Sequence, residues 1–429
     1  MPTTNALDTL KERGFVENVS DETALRAQLD RGPISLYCGY DPTAPSLHMG
    51  HLVSIMVLAH FQRAGHRPIV VLGGGTGMIG DPSGKTETRQ LLTIDQIQAN
   101  AEGLRGQFGR FLDFGDKGAL MVNNADWLMK IGYLEFLRDT GVHFSVNQLL
   151  QHSTYRERVA GEGLNFIELN YPLLQAYDFL QLYRQQGCLL QIGGQDQWFN
   201  ILSGVDLIRR VERRETYALV SPLIMTSTGE KMGKTVAGAV WLDPSRTSPY
   251  DYYQYWINVD DHDVERFLAV FTFLPMDEVR SLGRMEGDDL RAAKERLAFE
   301  ATVLAHGEEQ ARKAQASSRA LFPGLRHYVL QAEPGQYQIA GSAAELLVDR
   351  TLSVEATRLR DGIELVDLLV ETGLTPSKRA ARDLIKQGGA NVNGERVSAV
   401  DAVIDEAALR DGAILLRAGK KRFHRVVPE

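Results

Sequence analysis

His48 and His51 stand three residues apart with Gly50 between them, a short way beyond Gly39, Pro42 and Pro45. On a helix that spacing puts both imidazoles on one face, where they can donate to phosphate oxygens. Ser46 is placed to cap such a helix, and Leu52, Val53, Ile55, Met56 and Leu58 give it an apolar side. A helix start offers free backbone N–H groups and partial positive charge, which suits a phosphate, and Gly50 lets a flat group approach the backbone closely. Zinc ligation is the competing reading of two histidines. It fits poorly, because Cys38 and Cys188 are the only cysteines and neither a Cys-x-x-Cys nor a His-Glu-x-x-His pattern occurs. Either histidine alone could be a structural residue; the pair, with the glycine at a capped helix start, points to a nucleotide site.

Tyr171, Gln175 and Asp178 are spaced four and three apart, so on a helix their hydrogen-bonding groups converge. Leu173, Leu174 and Phe179 imply that this face is partly buried, where a carboxylate must be paired or hydrogen-bonded. A binding site and a structural Asp among structural tyrosines are equally open. Asp196 follows Gly193-Gly194 and can hold a ribose hydroxyl or cap a helix. Lys231 and Lys234, in Lys-Met-Gly-Lys-Thr after the turn Ser227-Thr228-Gly229, can set two cations beside a polyphosphate, or be ordinary surface. Lys85 and Arg89, beyond Gly80-Asp81-Pro82-Ser83-Gly84, read on their own as a solvated polar loop. Two further glycine patterns are set aside. Residues 75–80 fit Gly-x-Gly-x-x-Gly, but Asp81-Pro82 falls where the helix should run, and residues 80–86 are one residue short of a P-loop.

The elements that must carry these groups alternate. A strand through Ile34, Leu36 and Tyr37, ended by Gly39, leads into the His48 helix. Residues 67–72 are a continuously apolar strand, as in a buried parallel sheet, which makes a βαβ unit. Residues 5–30 and most of 95–165 read as helical, with a strand ending near Asn123-Asn124. Residues 189–192 are another strand, and Gln195 to Trp198 open the next helix; polar groups at such strand ends are where open α/β sheets bind ligands. Ser248-Pro249 starts a run of amphipathic helices to about residue 325, with Tyr250, Tyr252, Tyr253, Tyr255 and Trp256 read as core.

A chain of 429 residues is long enough for more than one domain. No apolar run reaches membrane-spanning length, and residues 1–30 lack a signal-peptide core. Two cysteines cannot make a disulfide framework, so a cytoplasmic protein is expected. The net charge of -8 argues against indiscriminate nucleic-acid binding. Residues 376–429 reverse it, with eleven bases against seven acids, a local +4. There Ser377 caps a helix with Ala381, Leu384 and Ile385 on one face and Arg379, Arg382 and Lys386 on another, and Asn393-Gly394 makes a tight turn. Such an asymmetry reads as a nucleic-acid module. Residues 323–362 show no clear pattern and read as a linker.

His48-Met49-Gly50-His51 resembles the His-x-Gly-His signature of class I aminoacyl-tRNA synthetases. The Lys231 to Thr235 segment resembles the second signature of that class, in the Lys-x-Gly-Lys-Ser/Thr form of bacterial tyrosyl enzymes. Residues 80–85 with Arg89 resemble a segment of the same enzymes, and the C-terminal helices and Asn-Gly turn resemble the αL RNA-binding module. The chain therefore resembles, over nearly its whole length, a bacterial-type tyrosyl-tRNA synthetase. That resemblance implies an α/β fold: a Rossmann-like parallel-sheet catalytic domain (1–245), an α-helical domain (246–325), a linker (326–362) and a small α+β RNA-binding domain (363–429). It implies L-tyrosine, ATP with accompanying Mg2+, and tRNA(Tyr) as partners, a homodimer, and no membrane, DNA or protein-held metal. It gives Thr43, His48, Lys85, Arg89, Lys231 and Lys234 to the phosphates, with His51 beside the nucleotide. Cys38, Gly39, Asp41, Gly50, Ser54, Gly193 and Asp196 complete the ATP site. Asp81, Tyr171 and Gln175 would meet the substrate ammonium, Gln197 its carboxylate, and Tyr37 and Asp178 its phenol hydroxyl. Arg379, Arg382, Lys386, Lys420, Lys421 and Arg422 would contact RNA.

Overall fold

Apolar residues in β2 (Ser35–Tyr40) and β3 (Arg67–Leu72) are almost wholly buried, as strands covered by helices on both faces must be. In the computed structural model, which describes residues 5–83, 92–151, 153–160, 163–229, 232–235, 238–321, 351–410, 412–419 and 422–429, they lie at the middle of a six-stranded sheet. The other strands are β1 (Asn18–Val19), β4 (Leu120–Asn123), β5 (Cys188–Gly194) and β6 (Tyr217–Ser221), in the order β1-β6-β5-β2-β3-β4. All neighbours run parallel except β1, which is antiparallel to β6. The chain moves outward from β2 to β3 and β4 on one side, then to β5 and β6 on the other. The carboxyl ends of β2 and β5 therefore flank a topological switch point, where a crevice opens.

Three sequence expectations change in detail. β2 runs through Gly39 to Tyr40 rather than stopping at the glycine. Ser46 does not cap the helix Met49–Arg63: it is buried, and its hydroxyl is spent on the Leu47 carbonyl and the Gln107 amide oxygen. His48 is the cap, and its Nδ1 accepts from the Gly50 N–H at 3.0 Å while His51 Nδ1 accepts from the His48 N–H at 3.1 Å. The third change is that the helices from Pro249 to His306 belong to one compact unit with the sheet, residues 1–308, and are not a separate body. Arg13 shows why: it is buried, and its guanidinium donates to the carbonyls of Ala269, Thr272 and Leu274 at the end of the helix Val264–Phe271. The aromatic run is core as read, with Tyr252, Tyr253 and Trp256 fully buried. After β3 the described chain makes only the single turn Thr76–Met78, and the next helix begins at Ile94, so the glycine pattern at 75–80 opens no dinucleotide-type helix there.

The second unit, residues 309–429, has its own sheet. Two short strands, β7 (Lys234–Thr235) and β8 (Gly238–Ala239), precede it in the first unit. In the second unit β9 (Thr351–Val354), β11 (Ala390–Val392), β12 (Glu395–Arg396), β14 (Ile414–Ala418) and β15 (Arg422–Pro428) pair in the order β12-β11-β14-β15-β9, while β10 (Ile363–Glu364) pairs with β13 (Val403–Ile404). Residues 351–354 thus form a strand parallel to β15 rather than part of a linker, and the helix Ala356–Asp361 follows. Leu365, Leu368, Leu369, Ala381, Ile385, Leu416 and Val426 share one buried core. Asn393 and Gly394 have φ of 49° and 88°, the pair of left-handed residues that a two-residue hairpin between β11 and β12 requires.

Candidate active site

A cleft of about 480 Å³ opens at the carboxyl ends of β2 and β5. Its walls hold Tyr37, Cys38, Gly39, Asp41, Thr43, His48, Gly50, His51, Ser54, Asp81, Tyr171, Gln175, Asp178, Gly193, Asp196 and Gln197, which the sequence had scattered over 160 positions. Lys85, Arg89 and Lys231 lie outside the described residues, and Lys234 is described by its backbone alone.

The inner end is closed by Tyr37 and Asp178, which are 1% and 4% exposed. The helix Phe166–Gln186 carries Asp178 one turn beyond Gln175, as the spacing predicted. Its carboxylate accepts from Trp127 Nε1 at 2.6 Å and Asn124 Nδ2 at 2.9 Å. Burial pushes this carboxyl up to about 7, and the two donors hold it back from rising further. The Tyr37 hydroxyl is buried without a hydrogen-bond partner, and so is the amide oxygen of Gln191. Unpartnered buried polar atoms on the wall of a cleft are costly unless a ligand completes them. The Tyr37 phenol is held well above its ordinary range by burial and then by the Asp178 charge, so it stays a neutral donor.

Two acids stand further out. Asp41 accepts from the Tyr171 hydroxyl at 3.0 Å and from Thr76 Oγ1 at 2.8 Å. Asp81 accepts from Gln197 Nε2 at 2.6 Å and the Ser83 N–H at 2.9 Å, and Asn200 links it to the Gln175 amide oxygen at 3.3 Å. A cationic group entering here would meet acceptors from three helices and loops. At the mouth, Cys38 is buried and its thiol is raised to about 11 by burial, so it is not a thiolate. Ser54 donates to the His51 carbonyl at 3.0 Å and accepts from Tyr40 at 3.1 Å. Asp196 is exposed and accepts from Gln197; it does not cap the helix Trp198–Glu212 that follows.

The histidine pair lines the cleft at the start of the helix Met49–Arg63. Since both Nδ1 atoms accept from backbone N–H groups, a neutral ring carries its proton on Nε2. His51 is lowered to about 3 by burial and then by His48, so it is neutral at physiological pH. The ring centroids lie 4.0 Å apart with the planes inclined by 37°. Beside them the Met49 N–H donates to the Val240 carbonyl, and the Val240 N–H to the Gly233 carbonyl, which seats β7 against the helix start.

Residues 29–323 match the family described as tRNA synthetases class I (W and Y), and residues 347–426 match the tyrosine--tRNA ligase C-terminal domain. The chain is 52% identical over 99% of its length to a tyrosine--tRNA ligase of Desulfatibacillum aliphaticivorans, covering 98% of that protein. The chain belongs to the tyrosine--tRNA ligase family. A second relative, from Caldanaerobacter subterraneus, is 49% identical over 99% of both chains. Among solved structures, a C-terminally truncated Aspergillus nidulans mitochondrial tyrosyl-tRNA synthetase is similar at 30% identity and TM-score 0.68, covering 74% of this chain and 94% of that one. An Encephalitozoon cuniculi tryptophanyl-tRNA synthetase shares the fold at TM-score 0.53 and 14% identity, with 73% of this chain and 91% of that one covered.

For this member of the tyrosine--tRNA ligase family, sequence reasoning missed Asn124, Trp127, Gln191 and Asn200. Asn124 was visible only as the end of β4, and nothing local marks Trp127 as a donor to a residue 51 positions away. In the C-terminal unit, Arg379, Arg382 and Lys386 are exposed on the helix Lys378–Lys386, and exposed Arg422 donates to the Leu374 carbonyl. Lys420 and Lys421 lie outside the described residues.

Proposed function

We infer that this chain joins L-tyrosine to ATP, giving tyrosyl-adenylate and pyrophosphate, and passes the tyrosine to the 3′-terminal adenosine of tRNA(Tyr). The observation that carries the tyrosine specificity is the buried Tyr37 hydroxyl, unpartnered beside Asp178 at the closed end of the cleft. A phenol hydroxyl reaching that depth completes the Tyr37 hydroxyl and adds a donor to Asp178, whereas a ligand without it leaves the Tyr37 hydroxyl unpaired. Asp81, Tyr171 and Gln175 receive the ammonium, and the Gln197 amide the carboxylate.

The substrate carboxylate attacks the α-phosphorus, and the bond to the bridging oxygen of pyrophosphate breaks. No enzyme nucleophile is needed, so the residues position the reactants and stabilise charge on the separating phosphates. His48 and Thr43, with Lys85, Arg89, Lys231 and Lys234, supply donors to those phosphates. Gly50 and His51 lie beside the nucleotide with Gly39, Asp41, Gly193 and Ser54, and Cys38 and Asp196 meet the ribose. Mg2+ enters with ATP as part of the substrate.

The RNA partner is assigned to Arg379, Arg382, Lys386, Lys420, Lys421 and Arg422. A homodimer is assigned to the exposed apolar side chains between residues 129 and 167, among them Leu134 at 79% and Val142 at 71% exposure. No described helix is long and apolar enough to cross a membrane. We propose the cytoplasm as the site of the reaction, as the family resemblance implies. Charging of tRNA(Tyr) with each of the twenty amino acids tests the reading: tyrosine alone is expected to be attached, and attachment of tryptophan instead would overturn it. Sedimentation of the chain and of Leu134→Glu/Val142→Glu tests the dimer, the variant being expected to run as a monomer.

A further inference from the structure

The backbone that flanks Lys234 is tied to residues outside the cleft. Gly233 donates its N–H to the Tyr255 hydroxyl oxygen at 3.0 Å. Gly233 has φ of 78°, and a Cβ there would lie 2.4 Å from Met49 Cβ, so its backbone is pressed on the start of the His48-capped helix. Its carbonyl accepts from the Val240 N–H at 2.9 Å, and Val240 in turn accepts from the Met49 N–H at 3.0 Å. One series of bonds thus runs from the Tyr255 ring through the Gly233 peptide to the residue beside His48.

The earlier part of the same segment is tied to the next helix. Asp263, 2% exposed at the N-cap of the helix Val264–Phe271, accepts from the Ser227 N–H at 2.9 Å and from Ser227 Oγ at 3.1 Å. Arg266 donates to Asp263 at 2.6 Å and also to the Met225 carbonyl. The far end of that helix is gripped by Arg13, so the anchor does not drift. Neither Tyr255 nor Asp263 lines the cleft.

We propose that Tyr255 and Asp263 are positioning residues for adenylate formation, fixing the backbone around Gly233 so that Lys234 is delivered to the phosphate end of the His48 helix. The proposal rests on Lys234 acting on the phosphates. It predicts an effect that passes through the lysine rather than through stability or tyrosine binding. Tyr255→Phe removes only the acceptor oxygen.

The test is tyrosine-dependent pyrophosphate exchange by the full chain carrying Tyr255→Phe, Lys234→Ala, or both, with Asp263→Asn as a second anchor variant and a thermal midpoint for each. Tyr255→Phe is expected to lower kcat about three- to tenfold, the range for one hydrogen bond, with KM for tyrosine unchanged. In the Lys234→Ala background the same change is expected to cost less than about twofold, because the group it positions is gone. Asp263→Asn is expected to show the same dependence on Lys234. Equal losses in both backgrounds, or a raised tyrosine KM with kcat intact, would overturn the proposal while leaving the phosphate role of Lys234 standing. A Lys234→Ala enzyme with wild-type exchange would remove that role, and the proposal with it.

Discussion

Asp178 carries two opposed demands. Burial favours its neutral form, while Trp127 and Asn124 donate to it and favour the charge. Because its folded pKa, about 7, lies above that of an exposed aspartate, the folded protein binds the extra proton between roughly pH 4 and 7. The stability this adds is full below pH 4 and is lost as pH rises through 7. Wild-type unfolding free energy should therefore fall relative to Asp178→Asn over that window, by up to about 4 kcal/mol. Parallel curves would mean that the carboxyl titrates as an exposed one does. Asp178→Ala should cripple tyrosine activation, by about 2 to 3 kcal/mol or more in kcat/KM, without producing a phenylalanine enzyme. Wild-type exchange in that variant would sink the assignment of the phenol site.

The helix Met49–Arg63 is a scaffold and, in the proposed reading, also a reagent, because its N-cap His48 is the proposed donor to the phosphates. The two roles separate by substitution. His48→Asn keeps an acceptor for the Gly50 N–H, so the thermal midpoint should stay near wild type while exchange falls about a hundredfold, as when one preorganised donor is removed. His48→Ala should lose the same activity and about 1 kcal/mol of stability besides. If Asn restored activity, the imidazole would be a cap and nothing more. This element also shows where the sequence was legible. The helix, its apolar face and its histidine pair follow from spacing, but its cap does not: Ser46 is the better cap by type, and only Gln107, 61 residues away, draws it into the core. The strands β2, β3 and β5 were legible from apolar runs, but the order of the sheet was not, and neither was β9, since four residues pair with a strand more than 70 positions later. Asn124 and Trp127 were invisible for the same reason, their partner being set by tertiary contact alone.

At the scale of the molecule, the chain divides into a unit that holds every cleft residue and a unit that holds the cationic face, each with its own buried core. The helices beyond residue 245 fall in one compact unit with the sheet, where Arg13, at the end of the first helix, donates to the end of the helix Val264–Phe271, and the cleft and the cationic surface fall in different units. Ending the chain after residue 346 should leave tyrosine-dependent exchange close to normal and depress tRNA charging. In the full chain that charging should weaken steeply with salt, as contacts that release counterions do. A folded truncate that charges tRNA as well as the full chain would remove the RNA role of the C-terminal unit. The account as a whole rests on a cleft that reads a phenol hydroxyl and activates its owner with ATP. The most direct measurement is pyrophosphate exchange by the intact protein with tyrosine, phenylalanine and tryptophan in turn. Rapid exchange with tyrosine, and rates lower by orders of magnitude with the other two, is the result predicted; exchange with tryptophan or phenylalanine at the tyrosine rate, or none with tyrosine, would contradict it.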